Sequence, residues 1–195
     1  MAHYIYHTRG VILGSTLTGE SNRLYKIFTE DIGLVSASAQ SVREGKSKLR
    51  YVLQNFSFVT LDLVRGKEMW RITSAGEWWH VPNIKKDDIR MRIFARFCAL
   101  LLRLLQGEGR EPELFDDIVH VARFLESETD SKDFATSIEA LFALRVLVRL
   151  GYLNKVGYET FLKSGGWTRE LIERFAVVRV DALPKINEAL RVSHL

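Results

Sequence analysis

The sequence predicts an α+β protein: an N-terminal five-stranded OB-type β-barrel over residues 1–80, then an α-helical domain over residues 84–195. Two observations carry this reading. In the first half, β-branched and aromatic residues fall in short runs divided by Gly, Asp and Asn, the pattern of a small barrel or sandwich. From Asp87 onward apolar residues recur at helical spacing instead.

The barrel elements follow in order. Tyr4, Tyr6, Val11, Ile12 and Leu13 form the first β-rich run. A turn at Thr18-Gly19-Glu20-Ser21-Asn22 leads to the second, with Leu24, Tyr25, Ile27 and Phe28. Asp31-Ile32-Gly33 opens the third, Leu34–Ala39. Ser47–Leu53 suits a short helix. The fourth run begins at Phe56 and reaches Arg65, and Gly66-Lys67 turns into the fifth, Met69–Thr73. Five strands in about 80 residues fit a barrel that closes most of its edges.

In the second half, Phe94, Phe97, Cys98, Leu101, Leu104 and Leu105 share one helical face, which marks a core-facing helix. Gln106-Gly107-Glu108-Gly109 ends it. A second helix starts near Glu113, after Pro112, and buries Phe115, Ile118, Val119, Ala122 and Leu125. The third, Phe134–Leu150, is the most apolar, with Gly151 placed as its C-terminal cap. Thr168 is placed to cap a helix through Phe175, and Pro184 to open a last one. Val81-Pro82-Asn83 divides the two domains.

Composition excludes several classes. A hydrophobic fraction of 47% and a charged fraction of 27% exclude wholesale disorder. The single cysteine, Cys98, excludes an intrachain disulfide and a Cys-cluster zinc site, and suits a reducing compartment. The longest charge-free runs, Ile32–Val42 and Tyr51–Leu61, are eleven residues, against about 20 for a spanning helix. The first residues carry no signal-peptide pattern. A soluble, cytoplasmic, nucleoid-associated protein without membrane contact is expected.

Charge is unevenly spread. The net +4 combines +3 over residues 1–80, +4 over 81–107, −7 over 108–140 and +4 over 141–195. Arg43, Lys46, Lys48 and Arg50 cluster between two barrel strands, opposed only by Glu44. Such groups neutralise phosphates and release counterions. Arg9 and Arg23 complete the expected DNA-binding set. Tyr25, Phe58 and Trp70 are candidates either for stacking on unpaired bases or for the core. On the first long helix, Arg92, Arg96 and Arg103 lie within about 40° of one another. That stripe is either a site for an acidic peptide or phosphate backbone, or the polar face any amphipathic helix needs.

Catalytic motifs are missing. His3, His7, His80, His120 and His194 form no metal-spaced cluster. Gly10-Val11-Ile12-Leu13-Gly14 is no phosphate loop, and no GxSxG elbow occurs. Glu20, Glu30 and Asp31 flank strands with no reason to pair as acid and base. No enzymatic activity, metal or cofactor is expected.

The chain also resembles the bacterial recombination mediator RecO family. The resemblance runs through Gly10-Val11-Ile12-Leu13, Gly19-Glu20-Ser21-Asn22-Arg23-Leu24 and Phe28-Thr29-Glu30-Asp31-Ile32-Gly33-Leu34-Val35. It continues at Ser47-Lys48-Leu49-Arg50, Leu53-Gln54-Asn55-Phe56 and Thr73-Ser74-Ala75-Glu77, with Gly76 inserted before the acid, then at Glu113-Leu114-Phe115 and Leu150-Gly151-Tyr152. It implies an OB-fold that binds single- and double-stranded DNA, strand annealing, and help in replacing single-strand DNA-binding protein with RecA, together with RecR. Two departures qualify it. Gln40-Ser41-Val42-Arg43 stands where members often read K-G-A-R, so only Arg43 carries over. Asn154–Gly166 lacks the cysteines of the zinc module found in many members, so zinc is not expected. For the acidic tail of single-strand DNA-binding protein, this chain offers Arg145 and Arg149 on the helix before Leu150-Gly151-Tyr152. The competing reading is a protein-interaction adaptor with an OB-type barrel and no DNA affinity of its own.

Overall fold

The strand β1, Ile5–Thr18, organises the first half of the chain. Its early residues pair with β4, from Ile5 opposite Val64 to Val11 opposite Phe58. Its later residues pair with β2 (Asn22–Thr29), from Gly10 opposite Thr29 to Thr18 opposite Asn22. A bulge between Ile12 and Gly14 lets one strand serve both partners, because an extra residue bends and coils the strand. Strand β3 (Gly33–Ala39) lies antiparallel to β2. Strands β4 (Phe58–Arg65) and β5 (Trp70–Trp79) form a second antiparallel pair. Two parallel pairs, Ala37 with Trp70 and Ser38 with Arg71, close the barrel in the order β1-β2-β3-β5-β4. The computed structural model describes residues 4–42, 44, 47–128, 132–163 and 166–193.

The barrel interior is filled by alternate residues of each strand: Ile12, Tyr25, Ile27, Val35, Ala37, Val59, Leu61, Leu63 and Ile72. Each large apolar side chain buried this way contributes about 1.5–3 kcal/mol. The connection from β3 to β4 adds Val42 and Leu53 to this core, and Leu49 and Val52 pack on it from α1, Leu49–Val52. The expected short helix therefore exists, but as a single turn. The expected first and fifth strands are longer than their apolar runs, because polar residues such as Ser15, Thr16, Ser74 and Glu77 also take part in the ladders.

The chain divides into two compact units: residues 1–81 with 105–115, and residues 82–104 with 116–195. The return of 105–115 to the first unit rests on specific bonds. Leu34 N–H donates to Gly107 O at 3.1 Å, and Trp70 Nε1–H donates to Glu108 at 2.9 Å. Phe115 lies edge-on to Phe28 at 5.6 Å and stacks on Trp78 at 6.2 Å.

The second unit is helical: α2 (Pro82–Lys86), α3 (Asp88–Leu104), the later turns of α4 (Pro112–Ser127), α5 (Lys132–Arg149) and α6 (Arg169–Val192). Its core includes Phe94, Phe97, Leu101, Ile118, Leu141, Phe142, Leu147, Ile172 and Phe175. Phe97 and Phe142 meet at 4.2 Å between ring centroids. Cys98 is fully buried there, and burial pushes its thiol pKa up, so it is an unreactive core residue. Gly151 takes φ +78° after α5, and Tyr152 N–H closes back on Leu147 O at 2.8 Å, a Schellman-type end.

One expectation fails in this unit. Two helices were expected around Thr168 and Pro184, and the structure holds one. Thr168 does cap it, its Oγ1 accepting from Leu171 N–H at 3.2 Å. Pro184 lies inside the helix. It removes a single bond to the carbonyl of Val180, and both residues are exposed, so water can satisfy the freed oxygen.

Candidate nucleic-acid interface

The β3–β4 connection is built by strong local constraints. Ser41 and Phe56, near its two ends, both hold positive φ, +52° and +67°. Such backbone persists only where surrounding contacts enforce it. Asn22 Oδ1 accepts from Ser41 N–H at 3.0 Å. Phe56 N–H donates to Ile12 O at 2.7 Å, and Ile12 N–H donates to Ser57 O at 3.0 Å. Between these anchors α1 points Leu49 and Val52 at the barrel core and leaves Lys48, Arg50 and Tyr51 exposed.

Beside α1 opens a polar cleft of about 490 Å³, lined by Arg23, Tyr25, Val42, Arg50, Leu53, Gln54 and Asn55. No acid lines it among the described residues. Arg23 comes from β2 and Arg50 from α1, so two guanidinium-bearing side chains face one cavity from separate elements. Arg23 Nη1 donates to Ser15 Oγ at 3.3 Å, and Ser15 Oγ donates to Asn55 Oδ1 at 2.9 Å. Burial raises the Tyr25 phenol pKa, and the charge and hydrogen bond of Arg23 partly offset it. Chemically this is an anion cleft: guanidinium groups suit phosphate oxygens, and the Gln54 and Asn55 amides can both donate and accept.

The other expected residues are dispersed. Arg43 and Lys46 lie outside the described residues. Arg9 sits on β1, away from the residues lining the cleft, in a bidentate pair with Glu30 at 2.6 and 2.5 Å, and its guanidinium lies 4.4 Å from the Trp78 ring centre. Tyr25, Phe58 and Trp70 are buried, so they are core residues and present no open stacking face. On α3, Arg96 is held by both carboxylate oxygens of Glu139 at 2.7 and 2.6 Å, and Arg103 by the carbonyl of Leu190. Arg92 is exposed. Arg145 and Arg149, expected to be offered to an acidic tail, are instead buried side chains that pair with Asp117. Burial pulls the Arg145 pKa down to about 10, which leaves it charged at neutral pH.

Three exposed residues were not singled out in the sequence. Lys26 on β2 faces outward and donates to Ser36 Oγ at 2.7 Å. Arg71 on β5 is also exposed and lies opposite Ser38. Strand alternation was the available signal, since Lys26 falls between buried Tyr25 and Ile27. The third, Tyr51, follows Arg50 on α1 and is 69% exposed. Among the described residues no three His, Cys, Asp or Glu side chains gather as metal ligands, and no helix is long and apolar enough to cross a membrane.

The fold and cleft define a class: an OB-type barrel with a basic cavity beside its β3–β4 connection, followed by a helical unit. Residues 1–77 match the family described as "Recombination protein O N terminal". The DNA repair protein RecO of Clostridium novyi is 30% identical over 178 residues, 83% of this chain and 67% of that protein. The RecO of Rubrobacter xylanophilus is 29% identical over 152 residues, 78% of this chain and 60% of that protein. The RecO of Dehalococcoides mccartyi is 28% identical over 128 residues, 65% of this chain and 50% of that protein. The chain belongs to the RecO family of DNA repair proteins. It spans between half and about two thirds of the length of these relatives.

Proposed function

We propose that this chain is a recombinational DNA repair protein without catalytic chemistry. It binds single- and double-stranded DNA through the barrel, anneals complementary strands and helps load RecA on DNA coated with single-strand DNA-binding protein. The observation that carries this reading is the cleft that brings Arg23 and Arg50 together on a RecO-type barrel, with no acid among the described residues lining it. Lys48, Lys26 and Arg71 are exposed on the same unit and add phosphate-neutralising charge without sequence preference. RecR and the acidic tail of single-strand DNA-binding protein are the proposed protein partners. For the tail, Arg92, Arg96 and Arg103 of the α3 stripe are all exposed, with Arg96 already engaged by Glu139 and Arg103 by the Leu190 carbonyl.

Annealing of complementary oligonucleotides, with and without bound single-strand DNA-binding protein, tests the reading alongside a pull-down with RecR. Faster annealing by the wild-type chain than by an Arg23→Gln, Arg50→Gln variant is expected. Partner capture with no DNA binding at physiological salt would replace it with the adaptor reading.

A further inference from the structure

An exposed aromatic pair of the first unit lies outside the cleft. Tyr4 is 73% exposed and Tyr6 39%, so both contribute little to the core. Tyr6 is on β1 and Tyr4 lies one residue before that strand, two positions from Tyr6 and so on the same side when the strand period is continued. Their rings meet edge-on at 4.6 Å, and Tyr6 meets Trp70 at 5.0 Å. One step beyond the Ile5–Val64 pair, Tyr4 falls opposite Arg65, whose guanidinium lies 4.9 Å from the Trp70 ring centre. Met69, also exposed, ends the β4–β5 turn, and Lys67 stands within it. OB-folds commonly use this turn for oligonucleotides.

Register connects this feature to the cleft. On β3, Ala39 is opposite Arg23 and Ala37 is opposite Trp70. The Arg23 and Trp70 backbones are thus two strand spacings and two residues apart, about 10–15 Å. Lys26, bonded to Ser36, and Arg71, opposite Ser38, alternate onto the other, outer face of these strands.

We infer that Tyr4 and Tyr6, backed by Trp70, form a stacking platform for unpaired nucleobases on the single strand that the cleft holds by its phosphates. This rests on the DNA-binding reading above and adds a base-contacting subsite to it. A nucleobase fits better than an acidic peptide because flat rings of any sequence stack on aromatic faces. Lys67 in the adjoining turn and the Arg65 guanidinium, shared between Trp70 and Glu108, supply the positive groups beside the rings.

The test is fluorescence anisotropy of the full chain with an oligothymidine and with an abasic oligonucleotide of equal phosphate count. The wild type should prefer the oligothymidine. Tyr4→Ala should weaken oligothymidine binding about five- to tenfold, as the loss of one stacked base would. It should leave abasic binding and the salt slope unchanged, and Tyr4→Trp should restore the preference. Equal effects of Tyr4→Ala on both oligonucleotides, or none on either, would overturn the platform while leaving the cleft standing if Arg23→Gln and Arg50→Gln still reduce the salt slope. No wild-type binding to either oligonucleotide would overturn both. Because Tyr4 is so exposed, Tyr4→Ala should fold with an unchanged thermal midpoint.

Discussion

Arg145 Nη1 donates to Asp117 Oδ1 at 2.8 Å, and the two side chains are only 1% and 0% exposed. Arg149 binds the second oxygen of the same carboxylate. Arg145 Nε also donates to Phe161 O at 2.6 Å, and Arg149 Nη2 to Leu162 O at 3.0 Å. One carboxylate on α4 thus joins two arginines a helical turn apart on α5, and these hold the turn after Glu159–Phe161. Asp117→Ala leaves two buried guanidinium groups without their counter-ion. It should cost about 3–5 kcal/mol, the range for breaking a buried ion pair. Urea unfolding followed by circular dichroism measures this, and a midpoint equal to wild type would refute the structural role.

Gly33 makes a second sharp case. Its φ is +89°, and a Cβ there would fall 2.1 Å from the carbonyl oxygen of Gly109. Gly33→Ala therefore meets a backbone conformation unfavourable to L-residues and a clash with backbone rather than a movable side chain. A loss of about 1–3 kcal/mol is expected. Gly19 also has positive φ, +62°, but nothing lies within 4 Å of its Cβ position. Gly19→Ala should cost less than Gly33→Ala when both are compared by thermal unfolding.

The barrel was legible because its code is local. Alternation around Tyr25 and Ile27, and glycine at position 33, follow from strand period and turn geometry. The placement of Arg145 was not legible. Its helical neighbours show that α5 is apolar, but nothing local reveals that Asp117, 28 residues away, faces it across the core. The same limit applies to residues 105–115. Glu108 reads as part of a helix-ending turn, while its partners Trp70 and Arg65 lie about forty residues earlier. For the cleft, Arg50 was visible in the sequence within its basic cluster, but its convergence with Arg23 depends on the fold of the barrel. Arg9, equally basic in sequence, is committed to Glu30 and Trp78.

Glu108 gives a pH prediction with a definite sign. Burial works to raise its pKa, but the Trp70 N–H and the charge and hydrogen bond of Arg65 outweigh burial and hold it below the usual 4.5. A carboxyl depressed on folding stabilises the folded state above its unfolded pKa and loses that contribution as pH falls through the folded value. The wild-type advantage over Glu108→Gln should therefore be full at neutral pH and shrink below about pH 4.5. Chemical denaturation at several pH values checks this. An advantage that grows on acidification would contradict the assigned sign.

The cleft and α1 make the last prediction, and magnitude separates their roles. Lys48 and Arg50 are exposed on or beside α1. Their replacement by Gln should change stability by no more than about 0.5 kcal/mol, as for ordinary surface positions. Each lost phosphate contact should lower the slope of log binding constant against log salt by about 0.7 for a single strand. Arg23 differs, because it also holds Ser15 and through it Asn55. Arg23→Gln should therefore reduce the slope and also lower the thermal midpoint, whereas Arg50→Gln should reduce the slope alone. Salt titrations of single-stranded DNA binding, paired with thermal unfolding, distinguish the two. If Arg50→Gln destabilises the fold as much as Arg23→Gln does, its position on the open rim of the cleft is wrong. If neither alters the slope, phosphate does not occupy the cleft.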